Sequence, residues 1–295
     1  MVDDMLGKNT KDKIIKNNYI FVSGAPRSGS NLLSSILNQN PLLHSEGYSA
    51  MCNILWNFDL SISQKNIQQE LNAVNKNNEK KIKELGTGLF DSYYGLQDKT
   101  IFDKSGSWTL IENIDLLKKY FTNKPKIIVL TRNIEDIAKS YIDIYLKNGI
   151  SQIHAEQVIF NFNDFGRNPF MRPIAGIMNS KINKENADFL YIDYEDLVFN
   201  TEKIIKNIYT FCNINFYNHD YDSLELKHKE NENFILKGLV DVRPKISKRK
   251  IEVLLSQKAL NKINDINSLL NKINIDPKNN DTIEEFQTFY KNNTY

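Results

Sequence analysis

The stretch "FVSGAPRSGSN", residues 21–31, decides the fold, because an apolar strand runs in it directly into a glycine turn. Gly24 and Gly29 are spaced as in the phosphate loop G-x-x-x-x-G-K-[ST] of nucleotide-binding proteins. Ser30 and Asn31 stand where that motif requires Lys and Ser or Thr, and a basic residue, Arg27, comes three positions early. This loop therefore lacks both the lysine that reaches a γ-phosphate and the hydroxyl that holds Mg²⁺.

The loop still predicts an anion site. The free N–H groups of the first helical turn and the helix dipole both favour negative charge at the start of a helix. Arg27 adds a charge whose fork geometry suits a phosphate, and the side chains of Ser28, Ser30 and Asn31 add further donors. We therefore expect a nucleotide with a single 5′-phosphate group and no metal ion. The alternative is a serine-rich turn that only caps a helix.

Strand-like runs recur along the chain and alternate with helical segments. The stretches 19–24, 99–108, 125–133 and 187–198 each begin as an apolar run that predicts a buried strand. Their alternation with helices predicts an α/β fold, with a parallel sheet flanked by helices. We expect a single domain over residues 1–295, with a core at about 19–250, a helical insertion at 49–97 and a helical C-terminal tail at 251–295.

Three stretches with charged or hydrogen-bonding side chains follow predicted strands. They are residues 27–31, residues 104–107 and Arg132. Ligands of parallel sheets bind at the carboxyl ends of the strands, so these stretches are expected to share one cleft. Ser140 lies eight residues after Arg132, about two turns down the next helix, and the two side chains could hold one phosphate. The alternative is a surface arginine near Glu135 and Asp136, followed by an ordinary helical serine.

Composition narrows the class of protein. The 295 residues are 41% hydrophobic, so a substantial core can form, and the net charge of +2 gives no general reason to expect nucleic acid or an anionic membrane. Cys52 and Cys212 are too few for a disulfide framework and lack metal-ligand spacing. The first residues lack the hydrophobic core of a signal peptide. No apolar run approaches the roughly 20 residues that a transmembrane helix requires. We expect a cytoplasmic protein without a transmembrane segment.

Five blocks of the chain, in order, resemble a known family. "PRSGSNLLSSILNQNP" (26–41) resembles the 5′-phosphosulfate loop of the sulfotransferases, and "TRNIEDIAKSY" (131–141) resembles their 3′-phosphate motif. The segments 101–108, 194–214 and 238–247 look like further blocks of the bacterial-type branch, so that the resemblance covers roughly residues 19–250. It implies the P-loop-like sulfotransferase fold. It also implies the donor 3′-phosphoadenosine 5′-phosphosulfate (PAPS), with 3′-phosphoadenosine 5′-phosphate (PAP) as product and no metal.

PAPS carries no polyphosphate, which explains why the loop needs no Walker lysine. One departure from the family is that its second glycine is usually followed by two hydroxyl residues, whereas Ser30 is followed here by Asn31. The amide of Asn31 can still donate a hydrogen bond. We therefore expect Gly29, Ser30, Asn31 and Leu32 to bind the donor.

The resemblance also implies catalytic residues. It makes Lys104 the catalytic lysine, with Arg27 as the fixed cation nearest to the bridging oxygen of the leaving 5′-phosphate. Cytosolic members have a histidine two residues after that lysine, where this chain has Gly106. The protein-tyrosine branch instead uses a glutamate just beyond the first helix, and Glu46 is therefore our preferred general base, ahead of His44. The alternative for Lys104 is a solvated surface lysine. The alternative for Glu46 and His44 is that both are polar loop residues without a catalytic role.

Further donor contacts are expected from Tyr194 and from a basic flap. Tyr194 is assigned to the adenine side, although a packing role is the alternative. The segment "RPKISK" (243–248) is expected to close over the phosphates of PAPS through Arg243, Lys245, Ser247 and Lys248; the alternative is a basic surface loop.

The sequence leaves the acceptor open. Residues 49–97 and 150–180 are expected to line its pocket, with Trp56, Tyr93, Tyr94 and Phe170 as aromatic walls. Such walls suit a small molecule, a glycan, a lipid or a peptide. Two other functions compete with sulfuryl transfer: a phosphate-loop kinase of a small molecule, and a non-catalytic nucleotide-binding protein of the same fold.

Overall fold

The fold is built on a parallel sheet. The computed structural model describes residues 17–74, 78–160, 168–225, 236–247 and 251–294. Within these ranges five strands pair in the order β2-β3-β1-β4-β5, and every pair is parallel. The strands are β1 Asn18–Gly24, β2 Leu43–Ser45, β3 Thr100–Lys104, β4 Lys126–Thr131 and β5 Asp188–Asp193. The predicted α/β fold with a parallel sheet is confirmed.

Helices connect the strands and extend the chain beyond them. The predicted insertion at 49–97 is helical throughout its described part, with only short connections. The helices are α1 Ser30–Leu37, α2 Met51–Ile62, α3 Lys65–Val74, α4 Asn78–Tyr94, α5 Ile111–Tyr120, α6 Ile134–Lys147, α7 Gln152–Phe160, α8 Met171–Ile182, α9 Tyr194–Phe199, α10 Thr201–Cys212, α11 Gln257–Ile275 and α12 Asn280–Thr294. None of the helices in the described ranges combines the length and the apolar composition that a membrane crossing requires.

The sheet has its switch point at β1. The chain leaves β1 toward β2 and β3 on one side and continues to β4 and β5 on the other side. A crevice opens at the carboxyl ends of strands that diverge in this way. Gly24 ends β1 opposite Leu130 of β4, in a left-handed conformation (φ 135°), and a methyl group there would collide with the Leu130 backbone. The strand can therefore turn into the phosphate loop only because residue 24 is glycine.

Alternating side chains fill both faces of the sheet. Ile20 and Val22 of β1 face the cluster that contains α1 and α10, whereas Phe21 faces the cluster that contains α4 and α5. Phe21 packs edge-on against Trp108, with ring centroids 5.0 Å apart. Each strand thus buries residues on two faces, which explains why strands of this kind are continuous apolar runs in the sequence.

The C-terminal tail packs on the body of the domain. Helices α11 and α12 contribute to one hydrophobic cluster with α6, α7 and α8. Ile263 and Leu269 are buried in it, whereas Leu254 is 85% exposed. Leu254 precedes α11 in an irregular segment, where helical periodicity does not govern which side chains face inward.

Candidate active site

A large cavity opens at the carboxyl ends of the central strands. Its volume is about 1190 Å³. The loops that follow β1, β3 and β4 line it, together with residues of α2, the start of α8 and the segment 239–247. The three stretches that the sequence assigned to one cleft therefore do meet there.

The lining of the cavity is strongly cationic. In the described part of the chain, Asp241 is the one acidic residue in this lining. Six basic residues line it, from several separate segments of the chain: Arg27, Lys104, Arg132, Arg172, Arg243 and Lys245. An excess of fixed positive charge in a concave, partly dry site favours an anionic ligand. This observation supports the anion site predicted from the phosphate loop.

The phosphate loop presents the start of α1 to the cavity. Arg27 (φ 65°) and Gly29 (φ 96°) adopt left-handed conformations, and no side chain caps the helix at Gly29. Ser30, Asn31 and Leu32, the first residues of α1, all line the cavity. Ser28 differs from the prediction: its buried hydroxyl donates to the Ala25 carbonyl at 2.6 Å, so this side chain braces the loop and does not line the cavity.

The Asn31 side chain lies against the loop after β2. A methyl group at Gly47 would collide with the Asn31 amide. The two loops can therefore pack together here only because residue 47 has no side chain. The asparagine that departs from the family pattern is therefore accommodated by a glycine elsewhere in the chain.

The structure brings the two phosphate motifs together. Arg27 Nε donates to Ser140 Oγ at 3.1 Å, and Arg132 Nη1 donates to the Arg27 carbonyl oxygen at 2.9 Å. Ser140 is almost fully buried yet lines the cavity. A further bond runs from Arg27 Nη1 to the Leu239 carbonyl oxygen. Residues more than 100 positions apart in the chain thus form one cationic cluster beside the phosphate loop.

Tyr194 holds Arg132 in this cluster. The Arg132 guanidinium lies 4.2 Å from the centroid of the Tyr194 ring, at the distance of a cation–π contact. A methyl group at Gly29 would come within 2.9 Å of the same ring, so Tyr194 also abuts the phosphate loop. Among the described residues, no hydrogen-bond partner reaches the buried Arg132 Nε. The packing role for Tyr194 is therefore real, and its predicted contact with adenine stays a prediction.

Lys104 reaches from β3 to the phosphate loop. Its Nζ donates to the Gly24 carbonyl oxygen at 3.3 Å, and the residue is 6% exposed. Burial lowers the pKa of the Lys104 amine to about 8. The alternative of a solvated surface lysine is therefore wrong, because this side chain is enclosed in the site.

The two predicted general bases lie beside the cavity and do not line it. His44 Nε2 and Glu46 Oε1 are 3.2 Å apart, and the Tyr93 hydroxyl donates to Glu46 Oε2 at 3.4 Å. The next residues, Gly47 and Tyr48, do line the cavity. The structure therefore brings His44 and Glu46 together with each other but leaves both outside the lining, since β2, which carries His44, turns their side chains toward α4.

The segment predicted to act as a flap lines one side of the cavity, and its closure over bound phosphates stays a prediction. Arg243, Lys245 and Ser247 all line it, and Arg243 Nη1 donates to Ser247 Oγ at 3.0 Å. Lys245 Nζ lies 3.7 Å from Asp222 Oδ1 at the protein surface. Lys248 lies outside the described residues.

Of the four aromatic residues predicted to line an acceptor pocket, one lines this cavity. Trp56 lines the cavity, with Asn53 and Asn57 of the same helix. Tyr93 lies outside the lining, while Tyr94 and Phe170 are buried in the hydrophobic core and cannot form a wall. An aromatic residue in a helix does not reveal from its type whether it faces a core or a cavity.

Arg172 was missed by the sequence reasoning. It lies in the first turn of α8, a helix whose other residues are almost all buried, and it lines the cavity. The sequence signal for Arg172 is a basic residue in a largely apolar helical segment. That signal is weak in this chain, because lysines are abundant throughout it.

Comparisons with known proteins point to one family. A sequence model described as "Sulfotransferase family" matches residues 19–218. No protein of the curated set matches the chain.

Several solved structures are similar in fold, all at low identity. The sulfotransferase domain of the olefin synthase from Synechococcus PCC 7002 is 18% identical, with 89% of this chain and 98% of that chain covered and a TM-score of 0.44. A sulfotransferase from Alicyclobacillus acidocaldarius is 11% identical, with coverages of 86% and 92% and a TM-score of 0.49. A mouse sulfotransferase solved as a complex with PAP is 16% identical, with coverages of 92% and 88% and a TM-score of 0.46.

Proposed function

The chain belongs to the sulfotransferase family, and on that premise we propose that it transfers the sulfuryl group of PAPS to a hydroxyl or amine of an acceptor and releases PAP. The observation that carries the choice of donor is the cluster of Arg27, Ser140 and Arg132 beside the phosphate loop. Arg27 and Arg132 place fixed positive charge side by side along one cavity, which suits a nucleotide with more than one anionic group.

The residues present fit such a donor. The start of α1 at Ser30, Asn31 and Leu32, with Arg27, would hold the 5′-phosphosulfate, since uncapped helix starts bind anions. Arg132 and Ser140 would hold the 3′-phosphate, and the buried Arg132 Nε is a donor that still needs an acceptor among the described residues. Contacts to the remainder of the nucleotide are proposed for Tyr194, Arg243, Lys245 and Ser247.

The composition of the loop argues for binding without a metal ion. A Mg²⁺-dependent phosphate loop uses a Ser or Thr hydroxyl at the position that Asn31 occupies, so this loop departs from that motif at its metal-binding position. The same loop lacks the lysine for a γ-phosphate, which disfavours the kinase alternative.

Bound PAPS supplies a sulfuryl group that passes to the acceptor oxygen or nitrogen as the bond to the 5′-phosphate breaks and the acceptor proton leaves. Negative charge then develops on the leaving phosphate. Lys104 and Arg27 provide fixed positive charge beside the phosphate loop, where it stabilises that developing charge without reorganisation. Because Lys104 is enclosed, its charge is less screened than that of an exposed lysine.

Glu46 remains our proposed general base, because the loop that carries it touches Asn31 through Gly47. We expect Glu46→Gln to slow transfer to a weakly acidic phenol by ~10²–10⁴-fold. An acidic phenol is largely deprotonated already, so the variant should affect it much less. The measurement is the rate ratio of wild type to variant across phenols of graded pKa, for a pocket that accepts phenols.

Glu84→Gln is the matched control, since Glu84 is an exposed carboxylate on α4 that pairs with Lys80 of the same helix. A rate ratio that stays flat across the phenol series would remove Glu46 as the base. His44→Asn would then be the next variant to measure, because His44 is the partner of Glu46.

The acceptor side combines Trp56 and Tyr48 with the amides of Asn53 and Asn57 and the charge of Arg172. Aromatic faces and amides suit a small molecule, a glycan, a lipid or a peptide. The test of the proposed function is therefore a transfer assay with sulfur-labelled PAPS against members of all four classes.

We expect label to move to at least one class, without added metal, and to move about 10²–10³-fold more slowly with Lys104→Met. Label transfer from γ-labelled ATP with Mg²⁺, and none from PAPS, would favour the kinase. Tight binding of PAPS with no transfer to any class would favour the non-catalytic nucleotide-binding protein.

A further inference from the structure

The turn that follows β3, residues 105–108, packs against the end of β1. The Ser105 amide donates to the Val22 carbonyl oxygen at 3.0 Å, and Ser23 Oγ donates to the Gly106 carbonyl oxygen at 3.1 Å. Val22 and Ser23 belong to the strand that leads into the phosphate loop. The turn therefore has a fixed place beside that loop.

The Gly24 carbonyl oxygen brings this turn close to the Lys104 amine. Lys104 Nζ donates to this oxygen at 3.3 Å, and a methyl group at Gly106 would lie 3.2 Å from the same atom. The amine and the middle of the turn thus meet at one carbonyl group. Such a methyl group would also lie 2.8 Å from Pro173 Cγ at the start of α8. The turn is therefore enclosed on two sides, and position 106 has no room for a side chain.

A buried carboxyl group closes the turn at its base. Asp103, the last residue but one of β3, is 0% exposed, and its Oδ1 accepts a hydrogen bond from Trp108 Nε1 at 2.7 Å. Its Oδ2 accepts from Ser49 Oγ at 2.7 Å and from Tyr94 OH at 2.6 Å. These bonds tie both ends of the turn to the core, which leaves the residues between them little freedom to move.

The backbone of Ser107 is fully engaged inside this turn. Its N–H donates to Ser105 Oγ at 3.3 Å, and its carbonyl oxygen accepts from Asn113 Nδ2 at 2.7 Å and from the Leu110 amide at 3.0 Å. Ser107 is half-buried and lines the cavity, and within the described ranges its hydroxyl has no hydrogen-bond partner. The hydroxyl is therefore the polar group of Ser107 that a ligand in the cavity can use.

We propose that the Ser107 hydroxyl binds an oxygen of the sulfuryl group of the donor. The inference rests on the proposed function, in which Lys104 stabilises charge on the leaving 5′-phosphate. The sulfuryl group is bonded to that phosphate, so it belongs near the Lys104 amine, where the turn also lies. Sulfuryl oxygens share a negative charge and accept hydrogen bonds, and a serine hydroxyl can donate one. A donor held on a rigid turn does so without reorganisation.

This contact separates the two forms of the nucleotide. PAPS and PAP share the adenosine, the 3′-phosphate and the 5′-phosphate, and only PAPS carries the sulfuryl group. A residue that binds the sulfuryl group contributes to the affinity for PAPS and not to the affinity for PAP. The ratio of the two dissociation constants therefore isolates the proposed role from a general effect on the site.

The test is calorimetric titration of the full chain with PAPS and with PAP, in EDTA and without an acceptor to receive the group. In Ser107→Ala the dissociation constant for PAPS should rise about tenfold, the effect of one hydrogen bond to a charged group, and that for PAP should stay within about twofold. Ser107→Thr keeps the hydroxyl and should restore the wild-type ratio of the two constants.

Ser247→Ala is the matched control. Ser247 is another serine of the cavity lining, and its proposed contact is to a part of the nucleotide that both ligands share. This variant should change both dissociation constants by the same factor. Ser107→Ala should fold as wild type does, because the oxygen that it removes forms no hydrogen bond within the described ranges.

Two results would overturn the proposal. One is a ratio of dissociation constants that Ser107→Ala leaves unchanged, and the other is a Ser107→Thr variant that behaves as Ser107→Ala does. Failure of wild type to bind either nucleotide would contradict the proposed function itself, and the assignment of Ser107 would fall with it. The experiment thus distinguishes an error about Ser107 from an error about the donor.

Discussion

Lys104→Met is expected to lower kcat for sulfuryl transfer by about 10²–10³-fold, as does the loss of one preorganised donor to a developing charge. Methionine keeps the volume of the side chain and removes the charge, so the cavity should retain its shape. Affinity for PAP should change by less than about threefold, because the charge that Lys104 stabilises appears mainly in the transition state. The measurements are kcat with the acceptor found by the transfer assay, and PAP binding by calorimetry.

The pH dependence of kcat gives this prediction a second readout. Burial lowers the pKa of Lys104 to about 8, so the amine is charged below that pH and loses its charge above it. Wild-type kcat should therefore fall as the pH rises through about 8, and the variant should lack this limb. Lys126→Met is the control, since Lys126 begins β4 at the opposite end of the sheet. Equal kcat values for wild type and Lys104→Met would contradict the assigned role.

Arg132→Ala is expected to weaken PAP binding by about 10–100-fold, because a hydrogen bond from a charged group contributes roughly 1.5–3 kcal/mol and about 1.4 kcal/mol is tenfold. Binding of adenosine 5′-phosphate, which lacks the 3′-phosphate, should change by less than about threefold. The measurement is the ratio of the two dissociation constants. An equal loss for both nucleotides would show that Arg132 does not read the 3′-phosphate.

Ser140→Ala is the comparison for Arg132→Ala. As a neutral donor to the 3′-phosphate, the Ser140 hydroxyl is expected to contribute roughly 0.5–1.5 kcal/mol, against roughly 1.5–3 kcal/mol for the charged Arg132. Ser140→Ala should therefore weaken PAP binding much less than Arg132→Ala does.

The central strands, and the charged residues that follow them, were predictable because both can be recognised from short stretches of sequence. A buried parallel strand is a continuous apolar run, and the residue after it must lie at the carboxyl edge of the sheet. Lys104 and Arg132 could thus be assigned to one cleft without knowledge of the strand order. The edge strand β2 was not predicted, because three residues carry no readable periodicity.

Contacts that depend on packing were not predictable. The direction of the Ser28 hydroxyl, the burial of Tyr94 and Phe170, and the pairing of His44 with Glu46 each depend on elements distant in sequence. The donors of Asp103 lie 5, 9 and 54 residues away along the chain, and no local spacing relates them. The sequence therefore indicated which residues carry the chemistry better than it indicated how they are held.

The central claim is that this phosphate loop binds a 3′-phosphorylated nucleotide without a metal ion. Isothermal calorimetry of the full chain with PAP in excess EDTA tests it most directly, with adenosine 5′-phosphate and ATP as comparisons. We predict saturable binding of PAP in EDTA, and weaker binding of adenosine 5′-phosphate by at least about tenfold, the value of one charged contact. No heat with PAP, together with binding of ATP only when Mg²⁺ is added, would contradict the account.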